Sequence, residues 1–251
     1  MPSSIVTKRE DPHMTDAPKA IFFDLDDTIL DFMSPAGPAW EESSRRFASE
    51  YEGIDAATVL ASIHRVAGAW WADPERHRMG RLDLRTTRIR NAADALAELA
   101  IPDDGLSTRP AESFANLRTE GLRLFPGARQ ALEHFHSNNV AMALLTNGDG
   151  PGQRYKIDRF DLADFFDCIL IEGEFGVGKP DERVFRHALT QLECTPEQTW
   201  MVGDNLQWEI EPCRRLGLHT VWVDFLAAGL PQDVDIKPHR IVNNINELIE
   251  S

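Results

Sequence analysis

Three aspartates within four positions, Asp24, Asp26 and Asp27, directly follow a short apolar run over residues 20–23. A run without polar alternation is typical of a strand buried on both faces in a parallel sheet. Open α/β sheets bind their ligands at the carboxyl ends of such strands. Carboxylates this close repel each other unless a cation lies between them, and hard oxygen ligands suit Mg²⁺. The stretch indicates a magnesium site or, as the alternative, a charged turn after a core strand.

Further polar residues follow other predicted strands and could join the same site. Thr146 and Asn147 end a strand predicted over residues 140–145, where a hydroxyl could hold a phosphate oxygen, although a plain turn would give the same sequence. Lys179 lies among glycines before a predicted helix and could supply a point charge to a phosphate and to the acids. Asp204 follows a further apolar strand and is the third candidate metal ligand.

The glycines around Lys179 also match a different phosphate-binding pattern. Residues 173–179 fit the first seven positions of the P-loop. The eighth residue is Pro180, which lacks the hydroxyl that a P-loop needs for Mg²⁺. We therefore reject a P-loop at this position.

The strand-end clusters resemble, in content and order, the four motifs of the haloacid dehalogenase-like (HAD) hydrolases, which are mostly Mg²⁺-dependent phosphatases. Residues 24–28 match the DxDx[TV] signature, Thr146 the second motif and the Lys179-Pro180 pair the third. Gly203 and Asp204 match the start of the fourth, GDxxx(x)D. Glu209 stands where the family most often has a second aspartate, so we expect it to act on the metal only indirectly.

The resemblance implies a role for each matched residue. Asp24 would attack phosphorus to form an aspartyl-phosphate, and Asp26 would protonate the leaving oxygen and then activate water. The ligands of the Mg²⁺ cofactor would be Asp24, the backbone carbonyl of Asp26, and Asp204. The residues that would bind the phosphoryl oxygens are Thr146, Asn147 and Lys179.

Three other functions remain open on these residues. A haloacid dehalogenase uses the same nucleophile without a metal, but that branch carries no acid at the position of Asp26. A phosphomutase keeps both acids, and Thr28 favours hydrolysis because the best-known sugar phosphomutase has valine there. A non-catalytic binding module would have signalled itself by a lost nucleophile, and Asp24 is present.

The rest of the chain predicts the elements that position these residues. Strands alternate with helices after residue 121, which predicts an α/β fold with a doubly wound parallel sheet, the Rossmann-like core of the family. The preceding segment has helical spacing throughout, with helices predicted at about 40–51, 55–71, 83–99 and 109–122, and corresponds to the family's inserted helical C1 cap. The expected division is a mobile arm (1–17), a core (18–32 and 122–251) and a cap (33–121).

Six arginines lie between residues 76 and 90 of the predicted cap. They indicate either a solvated helix face or a lid that attracts an anionic substrate. Arg81, Arg85 and Arg88 would share one helical side, and we expect Arg78 and Arg81 to select the substrate. The sequence over residues 69–90 is also similar to the cap of the group that includes N-acylneuraminate 9-phosphatase and pyrimidine 5′-nucleotidases.

The composition limits the partners of this 251-residue chain. A net charge of −15 argues against nucleic-acid binding, and no apolar run approaches the length of a membrane span. The three cysteines form no CxxC pair, which suits a reducing cytoplasm. We expect a cytoplasmic monomer or homodimer whose partner is a small phosphorylated substrate. The N-terminus lacks the apolar segment of a signal peptide, and Met14 could be the natural start.

Overall fold

The computed structural model describes residues 17–249; the alternative start at Met14 and all but the last residue of the predicted arm lie outside this range. In chain order the strands are β1 (Ala20–Phe23), β2 (Leu30–Asp31), β3 (Arg123–Leu124), β4 (Ala141–Thr146), β5 (Cys168–Ile171), β6 (Thr199–Gly203), β7 (His219–Val223) and β8 (Arg240–Val242). Six of them form one parallel sheet in the order β5-β4-β1-β6-β7-β8. The predicted α/β fold with a parallel sheet is confirmed.

Helices cover both faces of the sheet and fill the segment between β2 and β3. They are α1 (Ala36–Glu50), α2 (Ala56–Ala72), α3 (Pro74–Leu82), α4 (Leu84–Glu98), α5 (Thr108–Gly121), α6 (Ala128–Ser137), α7 (Gly150–Arg159), α8 (Glu172–Phe175), α9 (Glu182–Gln191) and α10 (Glu211–Leu216). A π-helical turn at Leu206–Ile210 precedes α10. Within residues 17–249, none of the helices combines the length and the apolar character needed to cross a bilayer.

The central strand β1 is apolar at every position because both faces of the sheet are covered. Ile21 and Phe23 point into one core cluster, which includes the buried side of α6. Phe22 points into the other, which includes the buried side of α9. All four residues of the strand are fully buried. This burial fixes the carboxyl end of β1, and with it the aspartates that follow, at the middle of the sheet edge.

The helices α1 to α5, inserted between β2 and β3, pack around an apolar cluster of their own, which includes Phe47, Val59 and Leu96. We call this helical segment the cap. The chain enters and leaves the cap through β2 and β3, which pair antiparallel. Arg123 on β3 forms an ion pair with the buried Asp31 on β2, with 2.6 Å between Nη2 and Oδ2. The two connections between core and cap are therefore held side by side.

The helix predicted at about 83–99 is present as α4, but the expectation that Arg81, Arg85 and Arg88 share one helical side is wrong. Asp83 lies between α3 and α4, where its carboxylate accepts a hydrogen bond from the backbone N–H of Thr86 and caps α4. Arg81 therefore belongs to α3, whereas Arg85 and Arg88 belong to α4. The three arginines do not share one helical side, because the chain changes direction at Asp83.

Candidate active site

Three carboxylates meet at the carboxyl edge of the sheet. Asp24 follows β1 and donates its backbone N–H to Val202 of the neighbouring strand β6 at 3.0 Å. Asp204 directly follows β6, and Glu209 lies on the π-helical turn after it. One ligand oxygen from each of Asp24, Asp204 and Glu209 lies within 4.8 Å of the other two. This all-oxygen donor set fits a hard divalent cation such as Mg²⁺.

Lys179 is the cation that the structure places among these acids. Its Nζ donates to Asp24 Oδ1 at 2.5 Å and to Glu209 Oε1 at 2.6 Å, and only 2% of its side chain is exposed. Burial opposes the charge, but the two carboxylates raise the pKa of Lys179 above its ordinary value. Lys179 is therefore held as a buried positive charge.

Glu209 approaches closely because residue 203 is a glycine. A Cβ at Gly203 would lie 2.0 Å from Glu209 Oε2, so any other residue would displace the carboxylate. The same oxygen accepts a hydrogen bond from the backbone N–H of Asn205 at 2.9 Å. This places Glu209 as near to Asp24 and Asp204 as a direct metal ligand would be. The expectation that Glu209 acts only indirectly is untested.

The carboxylates of Asp24, Asp204 and Glu209 repel one another. Burial raises the pKa of Asp24 above its usual range, Lys179 opposes this shift, and Glu209 adds to it. Burial likewise raises the pKa of Asp204 well above its ordinary value, with further contributions from Glu209 and Asp24. One lysine does not neutralise three neighbouring carboxylates. A bound divalent cation would relieve this repulsion, so the electrostatics fit a metal as the donor set does.

The carboxylate of Asp26 is held apart from this group. Lys156 Nζ donates to its two oxygens at 2.8 and 2.7 Å, and Gln153 Nε2 donates to Oδ2 at 3.1 Å. Both partners lie on α7, and neither was predicted from the sequence to belong to the site. Burial lowers the pKa of Lys156, an effect that Asp26 opposes. The sequence signal was weak, since two polar residues three positions apart are common on exposed helices.

Thr146 and Asn147 lie where the second motif predicts, beside the acids. The hydroxyl of Thr146 accepts a hydrogen bond from Gln153 Nε2 at 2.5 Å. The Asn147 side chain accepts from the backbone N–H of Lys179 and donates to its carbonyl, both at 2.8 Å. Asn147 therefore fixes the backbone from which Lys179 reaches Asp24.

A cavity of about 810 Å³ separates these residues from the cap. The predicted site residues Asp24, Asp26, Thr146, Asn147, Lys179, Asp204 and Glu209 all line it. The cap contributes aromatic and cationic side chains, including Trp40, Trp71, Phe114, Arg88 and Arg118. The cavity can thus hold a phosphate at the sheet edge and an organic group under the cap.

The two arginines expected to select the substrate differ in position. Arg78 is exposed and is not among the residues that line the cavity. Arg81 lines the cavity but donates from Nε and Nη2 to both oxygens of the buried Glu172, at 2.6 and 2.7 Å. Its guanidinium also lies 5.0 Å from the ring centre of Trp208. The geometry therefore favours a role for Arg81 in joining the cap to the core.

Comparison with known proteins agrees with this fold. The model of the haloacid dehalogenase-like hydrolase family matches residues 18–217. The chain is 32% identical to phosphoserine phosphatase from Thermus thermophilus, over 92% of this chain and 97% of the relative. It is 29% identical to the pyrimidine 5′-nucleotidase YjjG of Escherichia coli, over 91% of this chain and 95% of that relative. The magnesium-bound crystal structure of the HAD-hydrolase YfnB from Bacillus subtilis superposes with a TM-score of 0.69 at 21% identity, over 94% of this chain and 98% of that chain.

The family model covers most of the chain, from residue 18 to residue 217. The chain belongs to the haloacid dehalogenase-like hydrolase family, which confirms the resemblance seen in the four motifs.

Proposed function

We propose that this hydrolase is a Mg²⁺-dependent phosphomonoesterase of a small phosphorylated metabolite. The observation that carries the proposal is the meeting of Lys179 with Asp24, Asp204 and Glu209 at the sheet edge, inside a cavity that the cap covers. An acidic protein needs local positive charge to hold a phosphate, and Lys179 and a bound cation would supply it. The names of the two curated relatives, a phosphatase and a nucleotidase, support this class of reaction.

In the proposed reaction, a carboxylate oxygen of Asp24 forms a bond to phosphorus as the bond to the leaving oxygen breaks. Asp26 in its protonated form gives its proton to that oxygen, and the resulting carboxylate then takes a proton from the water that cleaves the aspartyl-phosphate. Lys179 and the hydroxyl of Thr146 would bind phosphoryl oxygens, and Asn147 would hold Lys179 in place. When bound, Mg²⁺ supplies positive charge to the transferring group.

The residues that would hold Mg²⁺ are Asp24, the backbone carbonyl of Asp26, and Asp204, with Glu209 nearby. The ion pair with Lys156 directs the Asp26 carboxylate away from the metal ligands. Asp26 would exchange this contact for the leaving oxygen during turnover. We further propose that residues 33–121 act as a cap, and that the enzyme works in the cytoplasm as a monomer or homodimer.

The reaction class is tested by hydrolysis of p-nitrophenyl phosphate with Mg²⁺ and with EDTA. We expect EDTA to abolish turnover, and Asp24→Asn to lower kcat below about a thousandth of the wild-type value because the attacking charge is lost. Asp158→Asn, the same substitution at an exposed position of α7, is the control and should retain full activity. Turnover by Asp24→Asn above a few per cent would exclude this nucleophile.

The metal ligands are tested by the Mg²⁺ dependence of two variants. Asp204→Asn should weaken the apparent Mg²⁺ affinity strongly, because it removes an anionic ligand. Glu209→Gln should weaken it much less if Glu209 acts through a water molecule. Equal losses would show that Glu209 contacts the metal directly, as its distance from Asp24 and Asp204 permits.

A further inference from the structure

Asn91 on α4 is a buried polar residue that the proposed reaction does not use. It lines the cavity, only 3% of it is exposed, and its Oδ1 has no hydrogen-bond partner within residues 17–249. Buried amide oxygens are almost always hydrogen-bonded, so this unpartnered acceptor indicates a ligand that brings a hydrogen-bond donor to that wall.

Arg88 lies one helical turn before Asn91 and lines the same wall. Its neighbours Arg81 and Arg85 form ion pairs with Glu172 and Glu112. In the described part of the chain Arg88 has no such carboxylate partner; its guanidinium lies 5.6 Å from the ring centre of Phe114. Arg88 therefore presents hydrogen-bond donors and a charge to the cavity.

Arg118 on α5 brings a second guanidinium to this wall. Its Nε and Nη2 donate to the carbonyl of Phe32 at 3.2 and 3.0 Å, which fixes the side chain over the Phe32 ring. None of the hydrogen bonds among residues 17–249 uses its Nη1. Burial lowers the pKa of Arg118 to about 10; the charge of Arg88 adds to the shift, whereas Asp26 and Asp27 oppose it. Two like charges that repel each other on one wall would be stabilised by an anion between them.

We propose that Arg88 and Nη1 of Arg118 form a subsite for a carboxylate on the leaving portion of the substrate, and that Asn91 Oδ1 accepts a hydrogen bond from a hydroxyl or ammonium group beside that carboxylate. The proposal rests on the proposed function and names its substrate class, the phosphate esters of hydroxy acids. The guanidinium fork of Arg88 matches the two oxygens of a carboxylate. Asn91 Oδ1 is an acceptor, so it suits a hydroxyl or ammonium group beside the carboxylate and not the carboxylate itself. Arg118 has already committed two nitrogens to Phe32, so the donors that remain suit a singly charged group better than a second phosphate.

Two substrates that differ only in this group provide the test. 3-Phosphoglycerate carries a carboxylate where glycerol 3-phosphate carries a hydroxymethyl group. We expect wild-type kcat/KM to favour 3-phosphoglycerate by at least about tenfold, the value of one charge-assisted hydrogen bond. Arg88→Met should remove this preference by raising KM for 3-phosphoglycerate, with little change for glycerol 3-phosphate or p-nitrophenyl phosphate.

Further variants separate recognition from folding. Arg88→Lys, which keeps the charge without the fork, should have an intermediate preference. Asn91→Leu should raise KM for both esters and keep the preference, because both carry the hydroxyl group from which Oδ1 would accept. Arg90→Met is the matched control, because Arg90 lies exposed on the same helix against Trp70 and outside the cavity lining. It should keep the wild-type preference. Equal loss of preference in Arg90→Met and Arg88→Met would overturn the subsite.

Two more outcomes would also overturn it: no preference in the wild type, or a stronger Arg88-dependent preference for fructose 1,6-bisphosphate, which would assign the wall to a second phosphate. If the wild type fails to hydrolyse p-nitrophenyl phosphate, the proposed function fails by itself. Calorimetric binding of 3-phosphoglycerate and glycerol 3-phosphate then tests the subsite without turnover. Selective binding of 3-phosphoglycerate that Arg88→Met abolishes would support the subsite, and equal binding would overturn it.

Discussion

Over the described residues 17–249, the polar and charged side chains are paired on one side of the cavity and are partly unpaired on the other. At the sheet edge the charged groups hold one another, with Lys179 bound to Asp24 and Glu209, and Lys156 bound to Asp26. On the cap side, Arg88 and the Asn91 side-chain oxygen have no hydrogen-bond partner within the described range. The sheet edge would bind the phosphate, which is the same in every substrate, so its side chains can be held in place by one another. A wall that recognises the variable part of a substrate must keep donors and acceptors available.

The largest expected effect comes from breaking the prearranged side. Lys179→Met leaves Asp24 and Glu209 buried without their cation, and removing one partner of a buried ion pair typically costs about 3–5 kcal/mol of unfolding free energy. Activity should be lost as well. Urea denaturation at pH 7 measures the change, and Mg²⁺ should restore more stability to this variant than to the wild type, because a bound cation offsets the repulsion and stabilises only the folded state.

A second buried lysine gives the matched comparison. Lys156 pairs with one carboxylate, Asp26, whose side chain is 22% exposed, whereas Lys179 pairs with two that are almost fully buried. Lys156→Met should therefore cost less stability, and Mg²⁺ should offset little of the loss. Equal costs for the two variants would show that the number of buried carboxylates does not set the stability of this edge.

A smaller effect is expected at the contact between the cap and the core. Arg81 on the cap binds Glu172 on the core, and the same carboxylate accepts the backbone N–H of Gly148 at 3.2 Å. Arg81→Met should cost about 2 kcal/mol of unfolding free energy, because Glu172 stays buried without its partner. It should also raise KM for p-nitrophenyl phosphate and larger esters alike, since a looser cap affects every substrate.

The control for this contact is the ion pair between Arg154 and Glu174, which lies close by but is about 40% exposed on each side chain. Arg154→Met should cost less than about 1 kcal/mol, as exposed pairs usually do. An effect of Arg81→Met confined to substrates with a carboxylate would instead show that Arg81 recognises the substrate.

The sequence predicted the sheet edge well because its chemistry is local. Polar residues at the ends of apolar strands must meet at the carboxyl edge of a parallel sheet, and Asp24, Thr146 and Asp204 do meet there. Lys179 reaches the same edge from the loop before α9. Their catalytic roles stay predictions. The α7 helix was missed because its sequence, GPGQRYKIDR, opens with turn-forming residues, although a proline in the first turn is compatible with a helix.

The cap was harder to predict because its function depends on which helical side faces the cavity. Arg78 and Arg88 are the same residue type, so the sequence alone does not distinguish them. The helix break at Asp83 places them on different helices, and only Arg88 of the two lines the cavity. Asn91 is uncharged and gave no signal of its own. It becomes informative only when α4 is packed and its amide oxygen is found buried without a partner.

The smallest expected effect is a pH dependence at the contact between cap and core. His77 on α3 packs edge-on between Trp71 and Trp208, at 5.3 and 5.1 Å between ring centres. Burial lowers the pKa of His77 below its ordinary value of 6.5, and the charge of Arg81 contributes, while Glu172 opposes it. Just below pH 6.5 the unfolded chain therefore binds more protons at this position than the folded chain, and the stability of the folded state falls as the pH falls.

His77→Gln should remove this part of the slope. We expect the loss of unfolding free energy between pH 7.5 and pH 5.5 to be smaller in the variant than in the wild type, by less than about 1 kcal/mol because the ring is partly exposed. Other groups titrate in this range in both proteins, so the difference between the two slopes is the quantity to measure. His64→Gln, at an exposed position of α2, should keep the wild-type slope. Equal slopes for His77→Gln and the wild type would mean that the folded chain accepts a proton on His77 at no cost. Burial of His77 between the two tryptophans would then not contribute to the pH dependence of stability.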